Sequence, residues 1–399
     1  MPLRVSKWGY FRVAHDTTRM GSLRHAVYCY TTNWYQLSDD RLGENRGHTI
    51  DAMRAFALPF LLALVSVTGA GQQPETDPQI DETVRSSVVE RLTTMVEAGY
   101  VVPEAGRIAV RNLRAAQGSR EYRGSSTAKV FAERLTSDLH SATNDKHIAV
   151  FFDPEPATQP KSSNTSVQTR ERFNFGFAKI ECLRGNIGYL DLRSFANLDD
   201  GHETASTYLD ALANFDAIII DLRQNGGGNT PMVAYIASYF FGPKPVHFTD
   251  MYWRDQDKTV ELWTSERVPG RRLVNQPLYL LIGPSTFSAA EDFSYSFQQL
   301  KRATLVGEAT GGGAHMGRGL QRLSPLFTAF IPVGESLNPI TKTNWEGVGV
   351  QPDVKVTAER ALTEAHLAAL KGLAERESDP TWQNDLRQAI ADVAAGGQR

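Results

Sequence analysis

Ala217-Ile218-Ile219-Ile220 empties directly into Asp221-Leu222-Arg223-Gln224-Asn225-Gly226-Gly227-Gly228-Asn229-Thr230-Pro231. A short apolar run that ends in a glycine turn reads as a strand buried on both faces. Thr230-Pro231 reads as the cap and first residue of a following helix. The pattern recurs downstream. Leu278-Tyr279-Leu280-Leu281-Ile282 leads through Gly283-Pro284-Ser285-Thr286-Phe287 to Ser288-Ala289-Ala290-Glu291-Asp292 and a helix over 289–300. Around these lie a strand over 187–192, a helix over 203–214 and a helix over 231–241. Alternation of strand and helix predicts an α/β fold.

Each turn has a bland and a chemical reading. Ser288-Ala289-Ala290-Glu291 is a capping-box pattern, which makes Ser288 a helix N-cap. The glycines make a tight turn. Read chemically, a serine at a strand-to-helix turn exposes a hydroxyl, and a glycine run before a helix offers free backbone N–H groups. Acyl transfer needs both, a nucleophile and donors for the oxyanion. Nucleotide binding is excluded, because no Gly-Lys-Ser/Thr follows the glycines and their spacing is not the dinucleotide pattern.

Four motifs in order resemble one family. They are Asp221–Gly228, Thr286-Phe287-Ser288-Ala289-Ala290-Glu291, Gly307-Glu308-Ala309-Thr310-Gly311-Gly312-Gly313, and Glu346-Gly347-Val348-Gly349-Val350-Gln351-Pro352-Asp353-Val354. Together they are similar to the tail-specific (C-terminal-processing) serine peptidases. Within that family they resemble the branch of the tricorn core protease and interphotoreceptor retinoid-binding protein. The resemblance implies a crotonase-like (ClpP-like) spiral of βαβ units preceded by a small helical domain. Little chain separates the helical part from the core, so no PDZ domain is expected.

The resemblance also implies roles. Ser288 would be the nucleophile and Gly226, Gly227 and Ala289 would supply oxyanion N–H groups. The Ser–Lys branch carries a lysine where this chain has Gly313, so a lysine base is not supported. The tricorn-like branch uses histidine and glutamate, which puts His147, in Asn144-Asp145-Lys146-His147, as the base and Glu346 as its support. Lys146 stands where that branch has a small polar residue. His315, in the glycine-rich segment, remains an alternative base. A histidine base with the ordinary imidazole pKa predicts activity rising across about pH 6 to 7.5. The family also contains binding proteins, so a catalytically silent carrier of retinoid or lipid on the same fold is the alternative to a peptidase acting on polypeptides near their C-termini. Family members often assemble, which admits a homo-oligomer.

Upstream, the expected helical domain spans 78–153. Asp77-Pro78 reads as cap and first helical residue, and Ile80, Val84, Val88, Leu92 and Met95 recur at helical spacing until Gly99. Helices near 104–116 and 127–141 follow. Pro154 to Arg170 is a Pro/Ser/Thr-rich loop. The peptidase core is expected over 172–357, and two amphipathic helices over 358–399.

Met53–Ala70 has a short positive start, an apolar core and a small-residue end, the anatomy of a signal peptide. Residues 1–52 then read as an upstream extension that is not native. Export to the periplasm or outside the cell follows, without stable membrane insertion after processing. A type II membrane anchor is the rival. With Cys29 upstream, only Cys182 would remain in a mature chain, so no internal disulfide forms. A net charge of −3 offers no basic face for nucleic acid. The nine histidines show no His-Glu-x-x-His and there is no Cys pair, so neither a metal nor a cofactor is expected.

Overall fold

The computed structural model describes residues 77–154 and 171–396. The signal-like segment and residues 1–52 lie outside the described residues, as does the loop over 155–170.

The two apolar runs are adjacent parallel strands, β4 (Ala217–Asp221) and β7 (Leu278–Ile282), at the centre of a six-stranded sheet. The order is β13 (Val354–Lys355), β8 (Thr304–Gly307), β7, β4, β3 (Ile187–Leu192), β2 (Phe177–Leu183). All neighbours run parallel except the β2–β3 pair. Side chains alternate across the sheet, as strand geometry requires. Ile218, Ile220, Leu278, Leu280 and Ile282 enter one core, and Ala217, Ile219 and Leu281 enter another. Burial on both faces is why these strands read as unbroken apolar runs.

Helices α4 (Leu198–Ala211), α5 (Thr230–Ala237) and α6 (Ala289–Gln299) cover the first face. The C-terminal helices α7 (Ala361–Arg376) and α8 (Pro380–Ala394) cover the second through Ala365, Leu370, Leu386 and Val393. The helix start after the glycines is capped by Asn229, whose side chain accepts the Met232 N–H, and not by Thr230.

At the N-terminal end, α1 (Glu82–Gly99), α2 (Pro103–Gly118) and α3 (Ala128–Thr143) pack around Val88, Leu92, Leu113, Phe131 and Leu135. α1 starts four residues later than Pro78, because Asp81 caps it through the Val84 N–H. Asp77 instead accepts the Lys129 N–H at the start of α3. This helical core does not end at α3. Strand β1 (Ala149–Phe152) pairs with β11 (Phe327–Phe330), which also pairs with β10 (Leu320–Ser324), and Leu323, Phe327 and Ala329 fill the helical core. A four-stranded antiparallel sheet completes the architecture. Its order is β6 (Lys258–Trp263), β5 (His247–Trp253), β12 (Gly334–Leu337), β9 (His315–Met316). Among the described residues no helix is long and apolar enough to cross a membrane.

One buried charge makes α6 pH-sensitive. Asp292 is 1% exposed, and its Oδ2 is buried without a hydrogen-bond partner. Burial pushes its carboxyl up to about 7. The unfolded carboxyl releases its proton near 3.9, so between these values the unfolded state binds fewer protons and stability falls as pH rises. The loss is of order 4 kcal/mol between about pH 4 and 7 and levels off above. Asp292→Asn is expected to flatten that decline. Denaturant midpoints at pH 5 and pH 8 check it, and an equal fall in both proteins would refute it.

Candidate active site

Ser288 caps α6 in a conformation that a side chain rarely adopts, φ 56° and ψ −122°. A non-glycine residue held there costs on the order of 1–3 kcal/mol, and such strain clusters at functional sites. A sharp strand-to-helix turn of this kind lifts a serine side chain above the sheet edge. Four contacts hold it in place. The Thr286 hydroxyl donates to Leu222 O, the Phe287 N–H donates to Asn225 O, and Gly311 N–H donates to Thr286 O. Glu291, one turn into α6, accepts the Ser288 N–H at 2.8 Å.

Glu291 does more than cap the helix. It is wholly buried, and it also accepts from the Thr310 hydroxyl and from the N–H groups of Gly312 (2.7 Å) and Gly313 (2.8 Å). Burial raises its pKa, and these donors oppose the rise by favouring the carboxylate. One side chain thus ties the elbow to the glycine-rich segment after β8.

The first glycine turn lies against the elbow. A Cβ on Gly227 would fall 2.8 Å from both Phe287 O and Ser288 Cβ, and Gly227 has φ +103°. Gly227→Ala is therefore expected to cost about 3 kcal/mol or more and to displace Ser288. Thermal unfolding and reaction with a serine probe check it together. Wild-type values for both would show that the turn and elbow move apart freely.

The N–H groups of this turn differ. Gly227 donates to Asn225 Oδ1 at 2.9 Å. The N–H groups of exposed Gly226 and of Ala289, the first residue of α6, find no acceptor among the described residues. Asn225 is itself buried and anchored by donation to Leu192 O at 2.9 Å.

His147 and Glu346 come together from distant parts of the chain. The His147 ring stacks on Phe287, the residue before Ser288, at 4.5 Å between centroids. No hydrogen bond joins His147 to Ser288. Donor atoms of Asp145, His147 and Glu346 lie within 4.8 Å of one another. His147 Nδ1 and Glu346 Oε1 are both buried without a hydrogen-bond partner, with Asp145 Oδ1 4.0 Å from the first and His315 Nδ1 3.7 Å from the second. Burial is the main force pushing the His147 pKa down, to about 4, although Asp145 opposes it. Burial pushes Glu346 up to about 7, against His315. Glu346 Oε2 accepts the N–H groups of Ala314 and His315.

Gly313 explains why no side chain stands there. A Cβ at this position would meet Phe287 Cζ at 2.3 Å and His147 Cε1 at 2.6 Å. The imidazole and the phenyl ring occupy the space. Lys146 is exposed and points to the same segment, donating from Nζ to Gly311 O.

Sequence reasoning passed over Asp145. It is fully buried and accepts from the His147 N–H (2.8 Å), Tyr100 Oη (3.0 Å) and His315 Nδ1 (2.8 Å). The signal was present in Asp145-Lys146-His147, since an aspartate that bonds the N–H two residues on fixes a turn. Glu291 was legible only as a cap. A second group of donors, His247, Asp250 and Glu261, lies on β5 and β6, but His247 Nε2 is already bonded to Asp250 and Glu261 to Trp263 Nε1.

The family model described as peptidase family S41 matches residues 186–356. A second, the N-terminal domain of that family in eukaryotic IRBP, matches residues 82–174. The chain belongs to peptidase family S41. It is 27% identical over 179 residues to carboxyl-terminal-processing peptidase 2, chloroplastic, of Arabidopsis thaliana, covering 42% of this chain and 31% of that one. It is 30% identical over 129 residues to the carboxyl-terminal-processing protease of Synechocystis sp., covering 32% and 28%. The matched part thus spans about a third of these relatives' length. The crystal structure of mature CPAF is similar in fold, with TM-score 0.51 at 11% identity over 79% of this chain and 98% of that one.

Proposed function

We propose that this chain is a serine endopeptidase that forms an acyl-enzyme on Ser288, with His147 as general base and Glu346 as the group that orients it. The observation that carries the reading is the strained Ser288 elbow beside the unpaired Gly226 and Ala289 N–H groups. A carrier of apolar ligands has no use for strain at a serine. A peptidase does, because the strain aims the hydroxyl at a bound carbonyl while nearby N–H groups receive the oxyanion.

The step runs as follows. His147 takes the Ser288 hydroxyl proton as Oγ bonds to the substrate carbonyl carbon. The oxyanion receives the N–H groups of Gly226 and Ala289. Gly227 shapes the loop while its own N–H stays on Asn225. His147 then gives the proton to the leaving amine, the C–N bond breaks, and water hydrolyses the ester by the reverse path. A ring nitrogen of His147 and a carboxylate oxygen of Glu346 lie within 4.8 Å, which supports the pairing, and Asp145 Oδ1, 4.0 Å from His147 Nδ1, offers the ring a second carboxylate. A lysine base at 313 is opposed by the packing of Phe287 and His147 there.

Substrates are polypeptides cleaved near their C-termini in this reading, as the names of the two curated relatives suggest. A fluorophosphonate probe tests the activity. Modification confined to Ser288 is expected, and an intact, unlabelled chain would favour the carrier.

Export is part of the proposal and rests on the sequence of Met53–Ala70 alone. Mass spectrometry of the natively expressed protein should find a mature N-terminus at or near Gly71. Peptides from residues 1–52 in that protein would refute it.

A further inference from the structure

His315 is brought into the same cluster as His147, yet its surroundings suit another task. Its ring is 5% exposed and stands edge-on to Tyr100. Nδ1 is 2.8 Å from Asp145 Oδ2 and 3.7 Å from Glu346 Oε1. Resting on the assignment of Ser288, His147 and Glu346 above, we propose that His315 is a positioning residue, a buried imidazolium between Asp145 and Glu346 that keeps Glu346 charged for His147.

A wholly buried carboxylate is costly unless paired and hydrogen-bonded. Asp145 accepts from Tyr100 and from the His147 backbone, but neither carries a full positive charge. His315 can supply that charge. The groups facing it are Asp145 and His147 from the turn after α3, Tyr100 from the end of α1, and Glu346 from the segment before β13. Glu335 of β12 stands opposite it in register. Three carboxylates against one imidazole favour the protonated ring. Burial works against this, but Asp145, Glu346 and Glu335 outweigh it, and the His315 pKa is raised.

Glu346 gains in return. Burial drives its carboxyl toward the neutral form, and His315 is the first influence opposing that. A neutral Glu346 is a weaker acceptor for His147 Nδ1–H than the carboxylate and gives the imidazolium no counter-charge. Removing the His315 charge should therefore leave Glu346 protonated to higher pH. His315 is less well placed as the base itself, because it is His147 that stacks on Phe287 beside Ser288.

Two measurements on the full chain test this. The first needs no catalysis. Histidine-ring NMR of the Ser288→Ala protein, with His315 assigned by the signal lost in His315→Gln, should show both His315 nitrogens protonated at pH 7. Glu346→Gln should lower its titration midpoint. A neutral ring at pH 7 overturns the proposal whatever the chain's activity. The second follows the rate of fluorophosphonate reaction against pH. His315→Gln should move the ascending limb up by about one pH unit, with the rate recovering at high pH. A rate lowered equally at every pH, with the limb unmoved, indicates packing alone and overturns the proposal. Loss of reaction at all pH in His315→Gln, with His147→Ala still reactive, makes His315 the base and overturns it too. If the wild-type chain takes no probe, the peptidase reading fails, and the ring titration still decides the charge on His315.

Discussion

Ser288→Ala and Ser288→Gly should both abolish peptide cleavage and probe modification, yet part in stability. Loss of a serine nucleophile lowers turnover by about 10⁴-fold or more, because the oxyanion donors and binding contacts left behind supply only residual catalysis. Alanine keeps the Cβ, so the backbone at φ 56° stays as strained as before and stability should change by less than about 1 kcal/mol. Glycine adopts positive φ without that penalty. It recovers part of the strain, on the order of 1–3 kcal/mol, and gives back about 0.5–1 kcal/mol in backbone entropy. The expected result is a silent protein that is more stable than wild type by about 1 kcal/mol. Denaturant melts of the three proteins, with labelling on the same samples, decide it. Cleavage that survives in either purified variant would remove Ser288 from the chemistry. Equal loss of stability in both would show that the elbow is not under strain.

The elbow was legible in sequence because its determinants are local. An apolar run, a turn and a helix start lie within fifteen residues, and both faces of β7 are buried. The same holds for β4 and the glycine turn. Caps were less legible, since neighbouring residues compete. Asn229 and Thr230 both suit the cap, as do Asp77 and Asp81, and tertiary contacts choose between them. The four-stranded sheet escaped notice. Strand β6 alternates exposed Thr259, Glu261 and Trp263 with half-buried Val260 and Leu262, and β9 has two residues, so neither gives an apolar run. The charge cluster was beyond reach for a different reason. Asp145 meets His315 across 170 positions, and nothing local in either segment announces the pair. Reading His147 and Glu346 together depended on motif resemblance, and the structure brings their donor atoms within 4.8 Å.

His147→Ala should lower turnover by several orders of magnitude, and Glu346→Gln by less, but the two should differ most in pH dependence. The sequence suggested an ascending limb over about pH 6 to 7.5 from an ordinary imidazole. The structure moves the cause to another group. Burial depresses the His147 pKa to about 4, so its imidazole is already neutral well below pH 6. Glu346 is raised to about 7, mainly by burial. In the proposed mechanism the reactive state needs both a neutral His147 and an ionised Glu346. It therefore accumulates as pH rises through about 7, where Glu346 loses its proton, and not where His147 does. The wild-type limb belongs to the coupled cluster and is carried chiefly by the carboxylate. Glutamine has no proton to lose, so Glu346→Gln should leave a reduced rate that is flat across pH 6 to 8, its own limb displaced toward the low His147 value. The kcat/KM profile of wild type and Glu346→Gln from pH 4 to 9 measures this. A limb near 7 that persists unchanged in Glu346→Gln would return the titration to an imidazole, and with it the choice between His147 and His315.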